Sequence, residues 1–318
     1  MLHVVHHVDY MAPPPERGTF RFDKYMLVMV ALRERAAREG FALVEHAPAP
    51  IPRRWLEAVH DPEYVEQVFT ASVPRAKERR IGFPVTPRIA SRVRHTNGGT
   101  WLAARLAMEH GYAANSAAGS HHALHDTGAG YCVFNDLAVV STRLIGEGDA
   151  RRVLIVDCDV HQGDGTASLM AGRDDVFTLS LHAEKNFPTR KARSSLDLAL
   201  PDGLDDDGYM DVLTTHLPGV IDGFAPDIVL YQAGVDPHRD DRLGRLALSD
   251  AGLAARDRYV VGEARRRGLP IASALGGGYG TDDRAVAERH AASMIAMAQE
   301  NACFPAPTHE ALAGFTTP

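Results

Sequence analysis

The sequence predicts an α/β protein with one central, mostly parallel sheet and helices on both of its faces. Short apolar runs of strand length alternate along the chain with longer stretches in which apolar residues recur at helical spacing. The run at residues 153–156 is apolar without interruption, which is typical of a strand buried on both faces of a parallel sheet. No internal repeat or break in composition divides the chain, so we expect a single domain over residues 1–304 and a C-terminal tail over residues 305–318.

The composition is that of an ordinary globular protein, with 45% apolar and 24% charged residues over 318 positions. The formal net charge of −7 argues against general binding to nucleic acid, which requires a basic footprint. The sequence contains no run of about 18 apolar residues, so we expect no membrane span.

The cysteine content indicates a reducing compartment, because three widely spaced cysteines do not make a disulfide framework. The N-terminus lacks a basic region followed by a long apolar one, so we expect no signal peptide. Together these features predict a cytoplasmic protein. The cysteines are Cys132, Cys158 and Cys303.

The N-terminal half is expected to hold three strands joined by helices. Gly40 is suited to end the first helix, and Asp61 and Pro62 are suited to begin another, as cap and first-turn residue. We interpret His3, His6 and His7 as ordinary strand or loop residues rather than metal ligands. The predicted strands are 2–8, 41–45 and 111–116, and the predicted helices are 23–40, one starting near 60, 96–109 and one from about 135 to 145; a loop with three prolines covers 10–18.

The C-terminal half continues the alternation. Residues 183–208 are rich in Asp, Pro and Gly, which predicts a loop that is long enough to be functional. The basic run at 75–80 is interpreted as a solvated helix end or loop. The predicted strands are 153–156, 176–181, 228–233 and 270–275, and the predicted helices are 209–224, 256–268 and 282–299.

Polar side chains follow four of the predicted strands at their carboxyl ends. In open parallel sheets, ligands bind in the crevice outside these ends, so residues far apart in sequence meet there. We therefore expect one site built from four segments, which are residues 121–122, 157–164, 236 and 279.

The segment after the central strand is a candidate metal site. Alternate residues of a strand point to the same side, so Asp157, Asp159 and His161 can share one face. Two buried carboxylates and an imidazole favour a cation, and this donor set suits zinc with a position left open for water. A turn rich in caps and hydrogen bonds is the alternative that the residues alone leave open.

Five segments together resemble the zinc-dependent histone deacetylase family of the arginase/deacetylase superfamily. Gln162, where many members carry a second histidine, and Asp-Arg-Leu-Gly at 241–244 most resemble the class IV branch and its prokaryotic relatives. The resemblance implies an arginase/deacetylase-like fold. The matching segments are Gly-Ser-His-His-Ala at 119–123, Gly-Tyr-Cys-Val-Phe-Asn-Asp at 130–136, Asp-Cys-Asp-Val-His-Gln-Gly-Asp-Gly at 157–165, Ala-Gly-Val-Asp at 233–236 and Gly-Gly-Gly-Tyr at 276–279.

The resemblance also implies roles for individual residues. It implies one catalytic Zn²⁺, with His122 as general base and His121 as its electrostatic or acid partner. The implied metal ligands are Asp159, His161 and Asp236; Asp157 would orient His121, Asp164 would orient His122, and Tyr279 would donate its hydroxyl to the scissile carbonyl.

The implied substrate is an acyl-lysine held in a tunnel. Tyr131 and Phe187 would form its walls, and the carbonyl of Gly130 would meet the substrate amide. A monovalent cation, usually potassium in this family, would lie near Asp157, Asp159, His161, Ser180 and Leu181.

Three other functions share parts of this pattern. A two-metal ureohydrolase is disfavoured, because Gly163 stands where such a site has a further carboxylate. An acetylpolyamine hydrolase uses the same chemistry, and an acidic chain attracts polycations. A non-catalytic acyl-lysine-binding protein would not need Tyr279 and both histidines. The class IV resemblance favours long acyl chains over acetyl, and the sequence makes no prediction of the oligomeric state.

Overall fold

The computed structural model describes residues 1–12 and 20–307, and its centre is an eight-stranded sheet. All neighbouring strands pair in parallel, in the order β2-β1-β3-β8-β7-β4-β5-β6. The predicted α/β class is therefore confirmed. The strands are β1 Leu2–Val5, β2 Leu43–His46, β3 Tyr112–Asn115, β4 Val153–Asp157, β5 Val176–Ala183, β6 Leu196–Leu200, β7 Ile228–Gln232 and β8 Ile271–Ala274.

The described residues form ten α-helices and a short 3₁₀ helix at Val8–Tyr10. Helices α1, α8, α9 and α10 pack against one another in one layer, while α5 and α6 pack together in the other. The helices are α1 Lys24–Glu39, α2 Arg53–Glu57, α3 Pro62–Phe69, α4 Arg75–Ile81, α5 Pro87–His110, α6 Asp136–Gly146, α7 Asp164–Leu169, α8 Asp206–Phe224, α9 Asp250–Arg266 and α10 Asp283–Asn301.

The sheet order brings together the four strands that precede the predicted site residues. Strands β3, β8, β7 and β4 are direct neighbours in the middle of the sheet. All five residues of β4 are buried, as expected of a strand covered on both faces. Because parallel strands end at the same edge, the segments that follow these four strands meet in one crevice.

The local signals for helix ends are confirmed. Asp61 accepts a hydrogen bond from the backbone N–H of Tyr64 at 3.0 Å and so caps α3. Gly40 ends α1 with a φ of +72°, a left-handed conformation that glycine adopts without strain.

The structure corrects the prediction that residues 183–208 are a loop. Strand β6, Leu196–Leu200, lies inside this segment and pairs with β5 at the edge of the sheet. This edge strand has five residues and is only half-buried, so its apolar pattern is weak. The polar residues around it in the sequence made that pattern too weak to predict a strand. Helix α8 also begins earlier than predicted, at Asp206.

Two further helices are longer than predicted at their N-terminal ends. Helix α5 begins at Pro87, where Thr86 caps it, instead of at residue 96. Helix α9 begins at Asp250, where Ser249 caps it, instead of at residue 256. In both cases cap and first-turn residues outweigh the weak apolar periodicity of the first turns.

The basic run at 75–80 forms helix α4, which ends at Gly82 with a φ of +99°. Two predicted segments lie mostly outside the described residues: 13–18 of the proline-rich loop and 308–318 of the tail. Among the helices that the structure describes, none is both long and apolar enough to span a bilayer.

Candidate active site

Two histidine–aspartate pairs lie side by side at the carboxyl edge of the sheet. Nδ1 of His121 donates to Asp157 Oδ2 at 2.7 Å, and Nδ1 of His122 donates to Asp164 Oδ1 at 2.7 Å. The two rings are 4.0 Å apart between centroids. A carboxylate on Nδ1 fixes the tautomer and orientation of each ring, which leaves Nε2 as the atom for proton exchange.

The surroundings push the two histidines to opposite protonation states. Burial lowers the pKa of His121, but the carboxylates of Asp157 and Asp159 outweigh it and raise this pKa to about 9. Burial, together with the positive charge of His121, lowers the pKa of His122 to about 4. At neutral pH the site therefore contains one charged imidazolium and one neutral imidazole able to act as a base.

A second cluster can hold a metal ion. Asp159, His161 and Asp236 are all buried, and each offers a ligand atom within 4.8 Å of the others. Nδ1 of His161 is 3.1 Å from Asp159 Oδ1 and 3.1 Å from Asp236 Oδ2. One ring nitrogen carries at most one proton, so it cannot satisfy two buried carboxylates. Burial and the charge of Asp159 accordingly raise the pKa of Asp236 to about 7.

The donor set of this cluster fits a divalent cation. Two carboxylates and one imidazole suit zinc, and three protein ligands leave a position for water or substrate. The outer carboxylate oxygens are held in place, since Asp159 Oδ2 accepts from Gly277 N at 2.7 Å and Asp236 Oδ1 accepts from Val160 N at 2.9 Å. Glycine is needed at 277, because a Cβ there would lie 2.0 Å from Asp236 Oδ2.

A buried ion pair fixes the two loops that carry these carboxylates. Arg256 and Asp257 are both fully buried on α9. Nη1 of Arg256 donates to the carbonyl of Cys158 at 3.1 Å and to that of Gly234 at 2.8 Å. The hydroxyl of Tyr231 donates to Asp257 at 2.6 Å. The sequence prediction missed this pair, because an Arg-Asp step in a charged helix carries no local signal of burial.

His122, and His161 of the candidate metal cluster, line a cavity of about 340 Å³. The Phe187 ring packs edge-on to His122 at 4.8 Å between centroids and is 43% exposed, which places it at the mouth. The rings of Tyr131 and Tyr279 are 5.8 Å apart. The cavity is lined by Arg80, Ile81, Gly82, His122, Gly130, Tyr131, His161, Asn186, Phe187, Leu243 and Tyr279.

Helix α4 positions one wall of this cavity, which the sequence did not predict. Gly130 N donates to Arg80 O at 3.0 Å, and Tyr131 N donates to Ile81 O at 2.7 Å. A Cβ at Gly82 would lie 2.9 Å from the Tyr131 ring, so the wall depends on close packing there. These are backbone contacts across about fifty residues, for which a local pattern contains no signal.

Asp241 positions another wall. It accepts hydrogen bonds from Tyr279 N at 2.6 Å, Leu243 N at 2.8 Å and Gly244 N at 2.9 Å. Burial and the charges of Asp159 and Asp236 raise the pKa of the Tyr279 hydroxyl well above its usual value. The hydroxyl therefore stays protonated and can donate a hydrogen bond.

Two of the residues predicted to hold a monovalent cation, Asp157 and Ser180, lie next to each other. Asp157 of β4 is the register partner of Ser180 in β5, and Leu181 follows as a fully buried residue. The Ser180 hydroxyl is 2.9 Å from Nδ1 of His182. The potassium site stays a prediction.

The N-terminal histidines take up other contacts. His3 is hydrogen-bonded to His46, with 3.0 Å between Nδ1 and Nε2, and His6 Nδ1 is 2.8 Å from the Ser116 hydroxyl. His7 stacks on His95 with 4.1 Å between ring centroids.

Comparison with known proteins identifies the family. Residues 19–296 match the histone deacetylase domain. An uncharacterized protein of Picosynechococcus sp. is 44% identical over 90% of this chain and 95% of its own length. Histone deacetylase 2 of Arabidopsis thaliana is 31% identical over 76% of this chain, and a probable deacetylase of Methanothermobacter thermautotrophicus is 30% identical over 61%. The matches span 64% and 62% of these last two proteins, which is less than two thirds of their length.

Solved structures share the fold. The HDA15 HD domain superposes with a TM-score of 0.78 at 21% identity, covering 93% of this chain and 88% of that one. The acetylpolyamine aminohydrolase of Burkholderia pseudomallei gives a TM-score of 0.76 at 20% identity, covering 93% and 98%. Since the family match extends over most of the chain, this protein belongs to the histone deacetylase family, whose members are hydrolases acting on amide bonds.

Proposed function

We propose that this protein is a zinc-dependent deacylase that removes acetyl or longer acyl groups from lysine side-chain amides. One observation carries the proposal: a neutral His122 lies between a charged His121, 4.0 Å away, and His161 of the three-ligand cluster, 5.9 Å away between ring centroids, and His122 and His161 line the cavity. This is the combination of base, positive charge and cation that amide hydrolysis requires.

The side chains act on the proton and on the developing charge. A divalent ion held by Asp159, His161 and Asp236 would polarise the amide carbonyl and acidify water. His122 takes a proton at Nε2 from the attacking water and returns it to the leaving amine nitrogen. Tyr279 donates its hydroxyl to the developing oxyanion.

The cavity suits an acyl-lysine side chain. Tyr131 and Phe187 present aromatic faces that can pack on the lysine methylenes, and the Gly130 carbonyl can accept from the substrate amide. The φ angles of Gly130 and Tyr131, +52° and +68°, turn the backbone sharply at this point.

Hydrolysis of acetylated polyamines is a second candidate. It uses the same chemistry, and it is supported by the net charge of −7, which attracts polycations over long distances.

A hydrolysis panel tests the proposal. The purified protein is assayed with an uncharged acetyl-lysine peptide, the matching myristoyl-lysine peptide and acetylated polyamines, with metal-stripped protein as the blank. We expect release of acid from a lysine peptide that stops on chelation and returns with zinc. A metal-loaded protein that binds these peptides without cleaving them would instead establish a non-catalytic role.

A further inference from the structure

Positive side chains surround the mouth of the cavity although the chain as a whole is acidic. Arg80, near the end of α4, lines the mouth. A second cavity of about 360 Å³ shares Leu243 and Tyr279 with the first, and it is lined by Arg21, Lys24 and Arg242. Asp283 is the one carboxylate among the residues lining these two cavities. Four cations and one carboxylate therefore line these two adjacent cavities.

Two of these cations form no ion pair with any carboxylate in the part of the chain that the structure describes. No carboxylate of the described residues lies within 4 Å of the Arg80 or Arg242 guanidinium, and both side chains are exposed. Arg21, in contrast, is paired with Asp23 at 2.7 Å and with Asp283 at 3.2 Å. Arg80 and Arg242 therefore supply the uncompensated charge.

The backbones of these two arginines are fixed to opposite walls of the cavity. The Arg80 carbonyl accepts from Gly130 N at 3.0 Å, and Arg242 N donates to the Tyr279 carbonyl at 2.9 Å. Each arginine is thus anchored beside the cavity by its backbone, and its side chain is exposed.

Lys24, which lines the second cavity, adds to the positive potential near the mouth. It is only 5% exposed, and its ammonium lies 5.3 Å from the centroid of the Tyr279 ring and 5.6 Å from that of Phe20. Aromatic faces attract a cation but do not cancel its charge.

We propose that this entrance selects acyl-lysine flanked by acidic residues, whose carboxylates pair with Arg80 and Arg242, and that it disfavours polycationic substrates. The proposal rests on the deacylase function proposed above. At physiological ionic strength charges are screened over about 8 Å, so the local charges of Arg80, Arg242 and Lys24 outweigh the distant acidic residues that make the whole chain negative. Acetylated polyamines and lysine-rich peptides then meet like charge at the entrance.

The test compares kcat/KM for three acetyl-lysine peptides that differ only in flanking residues: aspartates, uncharged glutamines or lysines. N-acetylspermidine is the fourth substrate. We expect kcat/KM to be highest for the aspartate peptide, intermediate for the glutamine peptide and lowest for the lysine peptide. Each ion pair that forms, and each repulsion between like charges, should change kcat/KM by about two- to fivefold. N-acetylspermidine should be the poorest substrate. The differences in kcat/KM between the peptides should shrink in 0.5 M salt, because the screening length falls there to about 3 to 5 Å.

Charge-removing variants locate the effect. In Arg80→Gln and Arg242→Gln the ratio of kcat/KM between the aspartate and glutamine peptides should fall towards one. Arg54→Gln is the matched control, because Arg54 is 72% exposed on α2 and lines neither cavity. This control should keep the wild-type ratio.

Failure of this inference is distinct from failure of the deacylase proposal. Equal kcat/KM for the three peptides, or a preference for the lysine peptide or for N-acetylspermidine, would overturn the selection for acidic substrates while leaving deacylation intact. If the zinc-loaded protein hydrolyses none of the three peptides, with either an acetyl or a myristoyl group on the lysine, the deacylase proposal itself is wrong.

Discussion

Two groups of histidine and aspartate side chains bring three ligand-type atoms within 4.8 Å of one another, but their surroundings differ. One is the buried cluster of Asp159, His161 and Asp236. The other is the half-buried cluster formed by His7, Asp9 and His95 near the N-terminus. Similar residue types at similar distances are therefore present in two regions of the molecule.

The N-terminal cluster is already satisfied by protein partners. Asp9 accepts from Arg88 Nη1 at 2.6 Å and from the Ser91 hydroxyl at 2.6 Å. The rings of His7 and His95 are stacked with planes only 4° apart, so their in-plane lone pairs run parallel and do not converge on one point. Asp159 and Asp236, in contrast, share Nδ1 of His161 and otherwise accept hydrogen bonds from backbone N–H groups, while His121 Nε2 lies farther off, 3.7 Å from Asp159 Oδ1. Unbalanced buried charge, and not proximity alone, distinguishes a metal site.

The largest expected effect comes from removing a ligand of the buried cluster. Asp159→Ala or His161→Ala should abolish stoichiometric zinc and with it hydrolysis, because two donors do not hold the ion. His95→Ala is the control from the N-terminal cluster and should keep full zinc. Elemental analysis of the purified variants measures both, and full zinc in Asp159→Ala and His161→Ala would contradict the ligand assignment.

Two arginine–aspartate pairs extend the comparison to stability. Arg256→Met leaves Asp257 buried and unpaired and frees two carbonyls, so the free energy of unfolding should fall by about 3–5 kcal/mol. Arg88→Met breaks a pair in which the arginine is 40% exposed, and it should cost at most about 1 kcal/mol. Urea denaturation measures the free energy of unfolding of both variants. Similar losses in the two would mean that burial does not determine how much each ion pair contributes to stability.

Removing one hydroxyl tests the oxyanion donor. Tyr279→Phe should keep zinc and lower kcat by about 10² to 10³, the usual effect of losing one such donor. Tyr131→Phe removes a hydroxyl from the facing ring and should have a small effect. Equal kcat for Tyr279→Phe and wild type would remove the assigned role.

The smallest expected effect concerns pH and the N-terminal histidines. Burial, with the charges of His110 and His46, lowers the pKa of His3 to about 4, below its value of about 6.5 in an unfolded chain. The unfolded state then binds more protons between these values, so the contribution of His3 to stability is complete above pH 6.5 and is lost as pH falls towards 4. Urea denaturation at several pH values gives the free energy of unfolding as a function of pH. Between pH 4 and 6.5 this free energy should rise less steeply with pH for His3→Phe than for wild type. An unchanged slope would exclude His3 as a contributor.

Sequence reasoning reached the parts of the site that follow a strand directly. The apolar run of β4 and the polar residues behind it were both predicted, because burial on two faces leaves a continuous apolar pattern. It missed β6, whose half-buried edge position weakens that pattern, and it placed the starts of α5 and α9 too late. The roles of the individual site residues stay predictions.

By itself, the sequence determined the parallel α/β fold, the family and the four segments that meet at the sheet edge. These features depend on local periodicity and on motifs of adjacent residues. Only the tertiary structure decided which carboxylate faces which histidine, which buried arginine holds the loops, and that the basic end of α4 lies at the cavity mouth. Such contacts join residues far apart in the chain, and their energies depend on burial and distance, which local patterns do not record.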